Sequence, residues 1–91
     1  MKIVFLDAAT VGKDVSLDGL KQFGETVFYD ATKQEEAASR VADCDIIITN
    51  KVKVYRDEID AARNLKLICV AATGVNCVDV DYAASKGIPV K

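Results

Sequence analysis

A doubly wound α/β domain, with helices on both faces of a five-stranded parallel sheet, is the fold class this sequence predicts. Two observations carry the prediction. Short apolar, β-branched runs alternate strictly with amphipathic segments along the whole chain, as a parallel sheet with crossover helices requires. The runs themselves, "CDIIITN" and "LKLICVAA" above all, are continuously apolar, the mark of strands covered on both sides. The 91 residues suit one domain, residues 1–91. A chain of that size buries roughly 60–65% of its unfolded surface, enough for a thin core.

The elements follow in order. Residues 2–6 form the first strand. Ser16 suits the N-cap of a helix running through Leu17, Leu20 and Phe23, which Gly24 stops. Residues 26–29 form the second strand. Thr32 and Glu35 have the spacing of a capping box, each side chain answering the other's free backbone amide, ahead of a helix with Ala37, Ala38, Val41 and Ala42 on its inner face. The third strand covers residues 46–49. The helix after it spans residues 55–63, with Tyr55, Ile59 and Ala62 inward at helical spacing. Residues 65–72 are the fourth strand. Asp79 caps a helix ended by Lys86 and Gly87, and "IPVK" supplies a short fifth strand.

For five such strands the flavodoxin-like order 2-1-3-4-5 is expected, with right-handed crossovers. Ligands of these sheets bind beyond the carboxyl ends of the strands, beside the switch point between the first and third. The loops at residues 7–12, 50–53 and 73–77 emerge on that edge. The last of them lies in "AATGVNCVDVDYAASKG", where a run of core residues stops at Thr73 and Gly74 and restarts with aspartates.

Composition narrows the partners. The chain is 51% hydrophobic and 29% charged with a net charge of −2, which suits a soluble domain and gives no electrostatic reason to bind nucleic acid or an anionic membrane. No apolar run approaches the roughly 20 residues of a membrane span. Cys44, Cys69 and Cys77 are odd in number and lack CxxC spacing, so reduced thiols and a cytoplasmic setting are expected. The start "MKIVFLD", broken by Asp7, does not read as a signal peptide. With no histidine, a zinc site of ordinary type is not expected and no metal is assigned.

Three chemistries can be tested against the carboxyl-edge loops. A dinucleotide fingerprint needs GxGxxG after a strand, and the glycines at 12, 19, 24, 74 and 87 never have that spacing. A phosphate-receiving regulatory domain of the same topology needs an aspartate at the end of the third strand, where Thr49 and Asn50 stand. Anion recognition by backbone amides remains. Gly74 lets the main chain take positive φ, so that the N–H groups around Thr73, Gly74 and Val75 can turn toward a carboxylate. The amides of Asn50 and Lys51, or the Lys51 ammonium, face them across the crevice.

The segments "IITNKVKV" and "AATGVNCVDVDYAASKGIPV" resemble the N-terminal part of the D-isomer-specific 2-hydroxyacid dehydrogenases, most of all the glycerate dehydrogenase or hydroxypyruvate reductase type. The resemblance covers essentially the whole chain, and its specific portion runs from Gly74 to Asp79. It implies a flavodoxin-like substrate domain that belongs beside a separate NAD-binding Rossmann domain, with the active site between them. It also implies a small 2-hydroxy or 2-oxo acid as substrate, and NAD(H) or NADP(H) as the cofactor of the parent enzyme. Thr73, Gly74 and Val75 match the loop whose amides hold the substrate carboxylate, and Asn50 and Lys51 match the facing loop. The family's catalytic arginine, glutamate and histidine and its glycine-rich loop fall after residue 91. The expectation is a substrate-domain fragment that binds no cofactor, carries no catalytic residue and is inactive alone.

Each singled-out residue also has a plainer role. Gly74 serves any turn and Asp79 any N-cap, while Lys51 and Lys53 read first as solvated charges and Asp7 as a residue that caps a loop rather than a catalytic acid. Cys77 has no histidine to activate it as a nucleophile. A non-enzymatic, receiver-like or effector-binding module and a scaffold fragment are the alternative functions. A homodimer through the open edge around Ile88, Pro89 and Val90 is the expected assembly.

Overall fold

The computed structural model describes residues 2–8, 24–70 and 77–91. Four strands, β1 (Lys2–Phe5), β2 (Glu25–Phe28), β3 (Ile46–Thr49) and β4 (Leu67–Val70), form one sheet in the order β2-β1-β3-β4. Every adjacent pair is parallel, as expected. Register aligns Val27, Val4, Ile47 and Ile68 across the sheet. Strand side chains alternate between faces, so this row and the row through Phe28, Phe5, Ile48 and Cys69 point to opposite sides.

Three helices, α1 (Gln34–Val41), α2 (Arg56–Ala61) and α3 (Val80–Ser85), pack on the first face. Val41, Ile59 and Ala83 join Val4, Leu6, Ile47 and Ile68 there in one buried cluster. Each fully buried aliphatic side chain of this kind contributes about 1.5–3 kcal/mol. On the other face Ile3, Phe5 and Ile48 are buried, with Phe28, Ile46 and Cys69 packed against them. The helix expected from Ser16 through Leu17, Leu20 and Phe23 lies outside the described residues, so all described helices share one face.

Two helix starts differ from the sequence expectation. Lys33, not Thr32, is the N-cap of α1, and its N–H donates to Glu36 Oε1 at 3.1 Å. The Thr32 hydroxyl is drawn away to the Leu6 carbonyl at 2.6 Å, and Arg40 donates to it at 2.7 Å. Tyr55, expected inward, is the N-cap of α2 and is 40% exposed. Glu58 Oε1 accepts its N–H at 2.9 Å, while Ile59 and Ala62 are buried as expected.

At α3, Asp79 accepts the Tyr82 N–H at 3.0 Å, as the sequence indicates. The helix ends in a Schellman turn: Ile88 N–H donates to Ala83 and Gly87 N–H to Ala84, with Gly87 at φ 74°. That turn delivers the chain beside β4. The expected fifth strand is reduced to one parallel bridge, Ile68 to Val90, because the helix ends just before it and Pro89 has no N–H to give.

Candidate functional site

β1 and β3 are parallel neighbours, so their carboxyl ends emerge side by side. Asp7, two residues past β1, is 2% exposed. Its carboxylate accepts the backbone N–H of Asn50 at 2.8 Å, Lys51 at 2.6 Å and Val52 at 3.0 Å. Successive N–H groups converging in this way form an anion-binding nest, and here the anion is the protein's own side chain. Thr49, the fully buried last residue of β3, donates its hydroxyl to the Val52 carbonyl at 2.9 Å and closes the turn.

The same loop is held from the helix side. Gln34, first residue of α1, accepts the Lys53 N–H at 3.1 Å and donates to the Lys53 carbonyl at 2.7 Å. Val54 N–H then donates to Cys77 at 2.6 Å, and Asp79 N–H returns to Val54 at 3.1 Å. The resulting parallel bridge, Val54 to Val78, ties the loop after β3 to the segment that enters α3. Every backbone N–H from residue 50 to 54 therefore has a defined acceptor.

The structure brings Asn50 and Lys51 together with Asp7 and Cys77, whose Sγ lies 3.7 Å from the Asn50 carbonyl oxygen. Thr73, Gly74 and Val75 lie outside the described residues. One expectation needs correction: the amides of Asn50 and Lys51, offered by the sequence to a ligand carboxylate, are engaged by Asp7. The exposed Lys51 side chain is the cationic group this turn presents. Asp7 caps a loop, as its sequence position indicates. Gln34 and Thr49 were not singled out from the sequence as loop-holding residues. A hydroxyl ending an isoleucine run is a usable signal for Thr49, whereas Gln34 meets a partner 19 residues away that no local pattern announces.

An open groove of about 310 Å³ lies over this turn, lined by Asp7, Ala31, Thr32, Gln34, Lys51 and Val52. Burial lifts the Cys77 thiol above its ordinary value, and the Asp7 charge adds to the effect. Cys69 is raised by burial as well, and burial pushes Cys44 up to about 12. These thiols stay protonated at neutral pH, which leaves none of them a ready nucleophile. Among the described residues no cluster of carboxylates and thiols could hold a metal ion, and no helix is long and apolar enough to cross a membrane.

The glycines of the chain never have the GxGxxG spacing of a dinucleotide site, and the amides at the end of β3 already hold the Asp7 carboxylate.

Comparison with known proteins gives the family. The family model of the D-isomer specific 2-hydroxyacid dehydrogenase catalytic domain matches residues 3–91. The hydroxypyruvate reductase of Blautia hydrogenotrophica is 43% identical, over 99% of this chain and 29% of that protein. The glycerate dehydrogenase of Methylorubrum extorquens is 36% identical, over 98% of this chain and 28% of its own length. Among solved structures, the NAD-dependent formate dehydrogenase of Staphylococcus aureus in complex with NAD superposes with a TM-score of 0.74 at 26% identity, covering 99% of this chain and 30% of that one. The chain thus spans under a third of the length of these relatives. With a match that runs through nearly all of its residues, this protein belongs to the D-isomer specific 2-hydroxyacid dehydrogenase family.

Proposed function

We propose that this chain is the substrate-side domain of an NAD(P)-dependent D-2-hydroxyacid dehydrogenase, and that it holds the carboxylate of a small 2-hydroxy or 2-oxo acid. Hydroxypyruvate and glycerate are the first candidates, by similarity to relatives that bear those names. Thr73, Gly74 and Val75 supply backbone amides from one side, and Lys51 supplies its ammonium from the other, with Asn50 beside it. The observation that carries the reading is the bridge between Val54 and Val78. It fixes the Asn50–Lys51 turn against the segment that directly follows residues 73–75.

The division of labour follows from the residues. Orientation of the acid belongs to this domain. Hydride transfer needs a bound nicotinamide and a general base, and a chain with no histidine and no GxGxxG leaves both to a second domain of the parent enzyme. A cytoplasmic location is in keeping with three free cysteines. Self-association through the edge at Val90 belongs to the same proposal.

Titration with hydroxypyruvate, followed by amide NMR, tests the reading. Shifts confined to residues 50–53 and 73–77 are expected. No shift up to about 10 mM, weaker than ordinary small-ligand binding, overturns it.

A further inference from the structure

We propose that Asp7 is a built-in anion, a positioning residue whose carboxylate fills the amide nest after β3, fixes the turn that presents Asn50 and Lys51, and denies those amides to a ligand carboxylate. The inference deepens the proposed function and rests on it only where substrate is concerned.

Three features of the geometry lead here. The nest is complete, with N–H groups of Asn50, Lys51 and Val52 on one carboxylate at 2.6 to 3.0 Å. Such bonds to an ionised acceptor are roughly twice as strong as neutral ones. The carboxylate is 2% exposed, and a buried charge persists only where hydrogen bonds offset its lost hydration. The contacts span 43 to 45 residues of sequence, so the clamp joins β1 to the β3 loop and sets the loop's place over the sheet.

A ligand consequence follows. A vacant nest would be an anion site in its own right; a filled one is electrostatically spent. An incoming carboxylate meets a turn whose amides are neutralised from below and whose Lys51 side chain is exposed. Selectivity then depends on where Lys51 is held, and a rigid turn holds it better than a mobile one.

Chemical rescue tests the proposal. Asp7→Ala keeps Cβ and removes a group the size of formate. Hydrogen exchange of the residue 50–52 amides should quicken about tenfold or more as the bonds are lost. The amides of Ile68 and Val70 in β4 should keep their protection. Added formate should restore slow exchange at residues 50–52, and inorganic phosphate, too large for the space, should not. Hydroxypyruvate affinity, read in the same samples at residues 73–77, should fall and recover with formate.

Asp7→Asn provides the second arm. It fills the space but turns an NH₂ toward N–H groups, so exchange should quicken and formate should have no effect. Unchanged exchange in Asp7→Asn, or loss in Asp7→Ala that formate fails to reverse, overturns the proposal. If Asp7→Ala does not fold, Asp7→Asn decides by the same readout. Failure of the wild-type chain to bind hydroxypyruvate counts against the substrate reading alone, because the exchange measurement needs no substrate.

Discussion

Oδ2 of Asp7 lies 2.6 Å from the backbone nitrogen of Lys51, 44 residues further along the chain. The contact places a negative charge beneath the turn and leaves the lysine side chain exposed above it. At this turn the Lys51 amide is thus occupied, and the lysine side chain is the part that faces solvent.

Lys51→Ala should weaken hydroxypyruvate binding by a factor of about 3 to 10, the worth of one partly solvated charge contact. Gly74→Val should remove ligand-dependent shifts altogether, since the expected carboxylate cradle needs a backbone that a β-branched residue resists. Far-UV circular dichroism should change little in either variant. Equal losses from both would point to charge attraction without a built cradle.

The isolated chain should not oxidise NADH in the presence of hydroxypyruvate. The chain has neither the GxGxxG spacing that binds a dinucleotide nor a histidine to serve as general base. Absorbance of the reduced nicotinamide, followed with pure chain at high concentration, checks this; turnover that co-purifies with the chain would contradict it.

Strand order and strand positions could be read from the sequence because they rest on local apolar runs and on the alternation of those runs with helices. The errors arose at helix starts, one decided by a distant partner and one by where the first turn begins. Thr32 has the right spacing from Glu35 for a capping box, but its hydroxyl is bound to Leu6, 26 residues earlier, and the cap passes to Lys33. Tyr55 continues the period of Ile59 and Ala62 backwards, yet the helix begins one residue after it. The site was legible only as a set of loops on one edge. That the amides of Asn50 and Lys51 are satisfied by Asp7 is a fact of β1–β3 adjacency, which spacing along the chain does not contain.

Ile47 tests how much one central side chain contributes. It is fully buried on β3, between β1 and β4, in the cluster that all three described helices share. Ile47→Ala should cost about 2–5 kcal/mol, through lost burial and the cavity left behind. Against the 5–15 kcal/mol total of a typical small domain, that is a large share. Urea unfolding should show a lower midpoint at an unchanged slope, and a stability loss of only about a few tenths of a kcal/mol would mean that the neighbouring side chains collapse into the gap.

Alkaline pH should expose the buried thiol of Cys44. Burial pushes its pKa up to about 12, from 9.0 in the free side chain. Between those values the unfolded chain has lost this proton and the folded chain has kept it. Stability should therefore fall as pH rises through that window, by about 1.4 kcal/mol per pH unit for one such group. Exposed groups such as Lys2 and Tyr82, both raised by hydrogen bonds to carboxylates, act in the same direction. The difference between wild type and Cys44→Ala isolates the thiol: the variant should show a shallower loss above pH 9, and parallel curves would remove Cys44 as its source.

Association should use the sheet edge beside β4. Ile68 N–H donates to Pro89 and Lys91 N–H donates to Ile68, so the N–H and C=O of Val90 point away from the sheet, as parallel pairing dictates. An outward-facing edge of this kind invites pairing with a second chain. Ile88 is a poor probe of that contact, because it is only 9% exposed and belongs to the core cluster. Val90→Pro is better: it deletes the outward N–H and leaves Pro89 and Lys91 to bond with Ile68. The wild-type chain should sediment as a dimer at micromolar concentration, burying about 800 Å² per partner in an ordinary interface, and Val90→Pro should sediment as a monomer. A wild-type monomer at that concentration would show that Pro89 and Lys91 already protect this edge.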